Sequence, residues 1–197
     1  MGRPSLREKL LDAGVRHLWN NGYAASGVRD IVAAAGARPG SFTNHFASKE
    51  DFAQEVLERY FAYVSGLVEA ALADDGRSAT ERLRSYLDVI TSKLAAEDFA
   101  RGCMIGNFSL ETAPHSERLR LKLAEIFRQW RAPFAACIAE GQAAGEITTA
   151  FSADDLAEFL LAGWQGAMLR MKVDRDRAPL DCFKAIVFAT VFGKAPS

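Results

Sequence analysis

Apolar residues recur at three- and four-residue spacing along most of the chain, and alternation with period two persists nowhere, so the pattern is that of helices without strands. Leu11, Val15, Leu18 and Trp19 mark one face of a first helix over 5–21, which Asn20, Asn21 and Gly22 stop. Ser26 stands where it would cap a short second helix carrying Val28, Ile31 and Val32, and Gly36 ends that helix by tolerating the positive φ of a C-terminal cap. Pro39 suits the first turn of a third short helix over 39–46, where its missing N–H would have no partner in any case. Ser48 followed by Lys49, Glu50 and Asp51 is an N-cap with acids in the first turn, opening a long helix through Phe52, Val56, Leu57, Tyr60 and Val64 to about residue 73.

The periodicity continues through Leu83, Leu87, Ile90 and Leu94, then Met104, Ile105 and Phe108, then Leu119, Leu123, Ile126, Trp130, Phe134 and Ile138, with Pro133 expected to kink the last of these. Gly145 ends that segment. Two apolar helices follow, over 153–172 behind the cap Ser152 and over 179–192. The expectation is an all-α protein of about nine helices. Three short helices in the first 46 residues, joined by a glycine-containing turn, are the plan of a helix-turn-helix DNA reader, so the chain divides into an N-terminal domain over 1–47 and a helical body over 48–197.

Composition narrows the class. Hydrophobic residues at 49% and charged residues at 25% are those of an ordinary globular protein, and no run approaches the roughly 18 continuous apolar residues of a membrane span. The N-terminal segment lacks the apolar core of a signal peptide, and the reading is cytoplasmic. Net charge is −1 overall, but residues 1–50 hold seven Lys/Arg against four Asp/Glu, a net of +3, leaving −4 for the rest. A basic N-terminal module on an acidic body fits a DNA reader joined to a part that does not touch DNA. Cys103, Cys137 and Cys182 lie far apart with no C-x-x-C pair, and His17, His45 and His115 lack ligand spacing, so no disulfide framework, metal or cofactor is expected. No G-x-S-x-G, glycine-rich phosphate loop or H-E-x-x-H occurs, and an enzyme is not expected.

The residues between Leu10 and Phe52 sharpen this. Ala13, Leu18-Trp19, Gly22-Tyr23, Val28-Arg29-Asp30-Ile31, Ala34-Ala35-Gly36, Gly40-Ser41-Phe42, His45-Phe46 and Ser48-Lys49 closely resemble the N-terminal domain of the TetR family of one-component transcriptional regulators. The resemblance implies a DNA-binding regulator, usually a repressor, that binds a palindromic operator as a homodimer and leaves it when a small-molecule effector binds the body. It implies base contacts from Ser41, Thr43, Asn44 and His45, with Phe42 and Phe46 as anchors. It implies phosphate contacts from Ser26, Arg29, Arg38 and Lys49, and a minor-groove arm at Arg3. Family members often carry a tyrosine and a histidine where this chain has Thr43 and Asn44, which leaves the phosphate contact of that tyrosine without its usual residue.

The body resembles the family only as an all-α segment of suitable length. The family's effector site lies there, with Tyr86, Cys103, Met104, Phe108, Phe127, Trp130, Trp164 and Met168 as aromatic or sulfur-bearing candidates for an apolar ligand of unknown identity. In the family the last two helices pair across a two-fold axis, and Gly163, Gly166 and Ala167 leave little bulk to oppose a close approach. Two alternatives stay open: a helical protein that binds another protein, and a repressor sensing electrophiles or oxidants through Cys103, which falls in the first turn of a helix.

Overall fold

Ser5 opens α1 (Leu6–Asn21) by accepting the Glu8 N–H at 3.2 Å, and the helix stops at Gly22, whose φ of 82° lets its N–H reach the Leu18 carbonyl. The computed structural model describes residues 5–192, so the expected arm at Arg3 lies outside the described residues. The chain divides into two compact units: residues 1–64 with 104–125, and residues 65–103 with 126–197. Of the three points where the chain passes between them, two fall inside continuous helices, α3 (Lys49–Leu72) and α6 (Glu117–Ala143). The boundary expected at residue 47 therefore differs from the compact first unit, which keeps most of α3 and adds α5 (Met104–Thr112) and the start of α6.

In the first unit α1 buries Leu10, Leu11, Ala13, Gly14 and Leu18, one stripe at helical spacing. Gly14 lets an aromatic ring onto the helix surface, because a Cβ there would stand 2.3 Å from Cζ of Phe52. Phe52, in the second turn of α3, is fully buried and stacks edge-on against Phe42 at 5.2 Å and Phe46 at 4.8 Å between ring centroids. Ser48 caps α3 as expected, accepting the Asp51 N–H at 3.0 Å.

Two local expectations are corrected. Gly27, not Ser26, stands at the N-cap of α2 (Val28–Ala34), with the Asp30 carboxylate accepting the Gly27 N–H at 2.9 Å. The third helix over 39–46 is only a 3-10 turn, Phe42–Asn44. Gly40 at φ 84° breaks the helical backbone inside that segment. The hydroxyls of Ser41 and Thr43 then donate to the carbonyls of Arg38 (2.7 Å) and Gly40 (3.0 Å), offering the backbone a competitor to the i→i+4 ladder. Among the described residues there are thus eight α-helices and one 3-10 turn instead of nine helices.

The second unit packs α4 (Ala79–Ala95), the later part of α6, α7 (Ala153–Asp174) and α8 (Ala178–Thr190). α6 continues through Pro133 as one helix and buries Ile126, Trp130, Phe134, Cys137 and Ile138. Ser152 caps α7 by accepting the Asp155 N–H at 3.1 Å. Gly163 of α7 receives the ring of Phe183 from α8, where a Cβ would lie 2.5 Å away. Two desolvated cations tie the helices together: Arg82 donates to the Leu72 carbonyl at 2.9 Å and pairs with Glu140, and Lys184 reaches Asp88 at 2.9 Å. No helix of the described residues is long and apolar enough to cross a membrane.

The contrast between Gly14 and Gly66 gives a paired expectation. Nothing lies within 4 Å of a Cβ at Gly66, so Gly66→Ala should stabilise by up to about 1 kcal/mol through helix propensity. Gly14→Ala should instead destabilise by about 1–3 kcal/mol, because the ring of Phe52 must shift within a packed core. Denaturant unfolding of both variants checks the opposite signs.

Candidate nucleic-acid interface

The 3-10 turn presents its polar residues for a simple geometric reason. Phe42 and Phe46 are buried and their rings meet at 5.2 Å, so the three side chains between them, Thr43, Asn44 and His45, are left on the outside, and all three are exposed. Asn carries both a donor and an acceptor on one planar group, the pairing that matches adenine in the major groove. Ser41 is half-buried with its hydroxyl already turned to Arg38, and Thr43 likewise bonds the Gly40 carbonyl, so these two shape the turn as well as face outward. Arg29 on α2 and Arg38 before the turn are exposed cations flanking it. Arg7 of α1 lies over the Phe46 ring at 5.3 Å and pairs with Glu55.

Ser26 does not fit the phosphate role. It is fully buried, its hydroxyl donating to the Gly22 carbonyl at 2.6 Å, because the chain turns inward between α1 and α2. Lys49 is engaged as well: its ammonium donates to the Tyr23 carbonyl at 2.6 Å and sits 4.1 Å from the centre of the Tyr23 ring. Burial pulls the Lys49 ammonium below its usual pKa, with the Glu111 charge opposing. Burial, reinforced by the Glu50 charge, holds the Tyr23 phenol above its own. Tyr23, Arg7 and Glu111 were missed by sequence reading. Tyr23 sits inside the family-like run, but nothing local to it names the cation that comes from α3.

The effector candidates separate between the two units. Met104 and Phe108 belong to the first, where the Met104 N–H faces the Tyr60 hydroxyl at 3.5 Å and the Phe108 ring meets Tyr23 at 5.6 Å. Tyr86, Cys103, Phe127, Trp130, Trp164 and Met168 belong to the second. There Tyr86 packs edge-on against Phe134 at 4.9 Å, and burial raises its phenol pKa, with the Cys103 charge adding to the effect. Trp164 is fully buried against Phe183, and its indole nitrogen has no acceptor among the described residues. No group of three or more His, Cys, Asp or Glu among the described residues has the arrangement to hold a metal ion.

Residues 10–56 match the family model described as bacterial regulatory proteins, tetR family, and residues 79–187 match the tetracyclin repressor-like C-terminal domain. The chain is 43% identical over 188 residues to the HTH-type transcriptional repressor DhaR of Mycobacterium sp. strain GP1, covering 95% of this chain and 93% of that protein. It is 34% identical over 176 residues to the transcriptional regulator AcuR of Cereibacter sphaeroides, covering 89% of this chain and 80% of that protein. A crystal structure of a TetR regulatory protein from Rhodobacter sphaeroides superposes with a TM-score of 0.89 at 32% identity, covering 95% of this chain and all of that one.

Burial sorts the three thiols. Cys103 and Cys137 are buried and Cys182 is exposed, and desolvation pushes the Cys137 thiol up to about 11. A maleimide at pH 8 should therefore leave Cys137 and Cys103 unmodified in the native protein and label both once it is unfolded. Peptide mapping by mass spectrometry reads the result, and rapid native labelling of Cys103 would favour the thiol-sensing alternative.

Proposed function

Because this chain belongs to the TetR family of DNA-binding transcriptional regulators, we propose that it is a repressor that grips a two-fold operator as a homodimer and is released by a small molecule bound in its second unit. Asn44 and His45, with Thr43 beside them, read base edges; Arg29 and Arg38 bind phosphate. Lys49 contributes the donors that Tyr23 leaves free, since an ammonium carries three. The observation that carries the reading site is the burial of Phe42 and Phe46 on either side of an exposed polar triplet. No reaction is assigned to the chain.

The dimer face follows from α7, which is apolar on two sides. One side packs Leu156, Leu160, Trp164, Met168 and Met171 into the core. The other leaves Phe159, Ala162, Gly166, Leu169 and Val173 exposed at alternating three- and four-residue spacing, the seam of a helix that packs against another. Val173 is 72% exposed, and on α8 Ile186 is 58% exposed. A contiguous stripe of this kind on two neighbouring helices is what a subunit interface covers. Two-fold pairing also gives two reading turns, which B-DNA accepts when they stand about 34–36 Å apart or a multiple of that.

The effector reading rests on Trp164. A buried N–H without an acceptor costs about 1–3 kcal/mol. A carbonyl or carboxylate oxygen on an otherwise apolar ligand would supply the acceptor. Phe108 and Met104 are left out of this site, since both pack in the first unit.

Two experiments test these assignments. Selection of duplexes from a randomised pool should enrich a palindrome, and Asn44→Ala should cost about 1–3 kcal/mol at that sequence and relax preference at one position per half-site. Unchanged affinity and preference would remove Asn44 from the reading face. For the interface, Ile186→Glu places a charge on an exposed position and should give a folded monomer by light scattering, with operator binding lost. Trp164→Glu, at a fully buried position, should fail to fold. A folded Ile186→Glu dimer would place the interface elsewhere.

A further inference from the structure

The link between α1 and α2 is held by a helix that begins 80 residues downstream of it. α5 and the first turns of α6 lie in the same compact unit as the reading turn, and four contacts fasten them to it. The Glu111 carboxylate accepts the Ala24 N–H at 2.8 Å, the Ser116 hydroxyl donates to Glu50, Arg118 pairs with Asp51, and Lys122 reaches Glu58 at 2.6 Å. The last three bind the long helix α3. Glu111 alone of the four touches the α1–α2 link.

Several residues around that link are shaped for the contact. A Cβ at Gly22 would stand 2.6 Å from Oε1 of Glu111, so a glycine there lets the carboxylate come in. Phe108, one turn before Glu111 on α5, lays its ring against Tyr23. Lys49 of α3 holds the Tyr23 carbonyl and ring, and feels the Glu111 charge. The Ala24 N–H thus receives a charged acceptor, the stronger class of hydrogen bond, at the point where the chain turns toward α2. α5 itself starts at Met104, where the chain re-enters this unit from the second one.

We propose that Glu111 is a positioning residue for operator reading: its carboxylate, seated on the Ala24 N–H beside Tyr23 and Lys49, fixes the pose in which the α1–α2 link presents α2 and the reading turn. Movement of α5 then changes operator affinity although no base-contacting side chain is altered. This rests on the assignment of Thr43, Asn44 and His45 as the reading face.

The test uses the full-length protein and a duplex that the wild type enriches from a randomised pool. Glu111→Ala is expected to weaken binding by about tenfold. The salt slope should stay unchanged, because no phosphate contact is lost. The enriched sequence should be the same, and hydrogen exchange at the Ala24 amide should be faster. Glu111→Gln keeps a neutral acceptor and is expected to stay within about threefold of wild type. Wild-type affinity for Glu111→Ala would overturn the proposal even if the Ala24 amide is released. So would equal losses for the alanine and glutamine variants, or a slope lowered by about one contact. If the alanine variant does not fold, Glu111→Asp, whose carboxylate is one methylene short of Ala24, should show the loss, and wild-type affinity there overturns the proposal in the same way. A wild type that enriches no duplex removes the reading face itself and the proposal with it, a failure distinct from the others because it appears before any substitution.

Discussion

The ring of Phe52 lying on the bare backbone of Gly14 is the constraint on which the reading module depends. It brings α3 against α1 at a distance no side chain at position 14 would allow, and it gives Phe42 and Phe46 a common surface to pack on. Edge-on contacts among such rings add about 0.5–1.5 kcal/mol per pair beyond burial, and their geometry is directional. Once both phenylalanines are committed inward, the residues between them have nowhere to go but out. The exposed polar face proposed to read DNA is in this sense a by-product of how the core closes, and a single 3-10 turn is enough to display it.

Charge in the first unit is arranged as fastening more than as display. Arg59 pairs with Glu8 and Asp12, Arg7 with Glu55, and Ser116, Arg118 and Lys122 with Glu50, Asp51 and Glu58, so α1 and the start of α6 are both cross-tied to α3. Exposed pairs of this kind contribute little singly. Several converging on one helix fix its orientation. Arg29 and Arg38, exposed beside the polar triplet, take no part in this network.

The second unit keeps its charges differently. Arg82 and Lys184 are both buried, each held by a carboxylate and an oxygen from another residue, Leu72 and Thr91 respectively. Buried pairs like these are weak sources of stability, because desolvation offsets much of the attraction, but they penalise any packing that separates the partners. With α4 pinned to α8 by Lys184 and by Arg84 over the Phe188 ring, the pair α7 and α8 is held in one pose and its outer stripe is a defined surface.

Sequence alone determined what neighbours within about four residues decide. The helical periods, the caps at Ser48 and Ser152, the stops at Gly22, Gly36 and Gly145, and the inward direction of Phe42 and Phe46 all follow from local spacing and hydrogen-bond chemistry, and the structure has each of them. It did not decide the extent of the third helix, because the φ of Gly40 and the turned hydroxyls of Ser41 and Thr43 leave the hydrophobic period unchanged. Nor did it place Ser26, a good cap by type, which the inward turn of the chain buries beside Gly22. The partners of Lys49 and Glu111 lay furthest out of reach. A charged side chain bonds whatever polar atom the fold brings to it, and Ala24, 87 residues from Glu111, becomes that atom only after α5 has packed against Tyr23. Spacing along a chain encodes which face is apolar; which polar atoms meet is decided by the packing of those faces, and only the tertiary structure contains it.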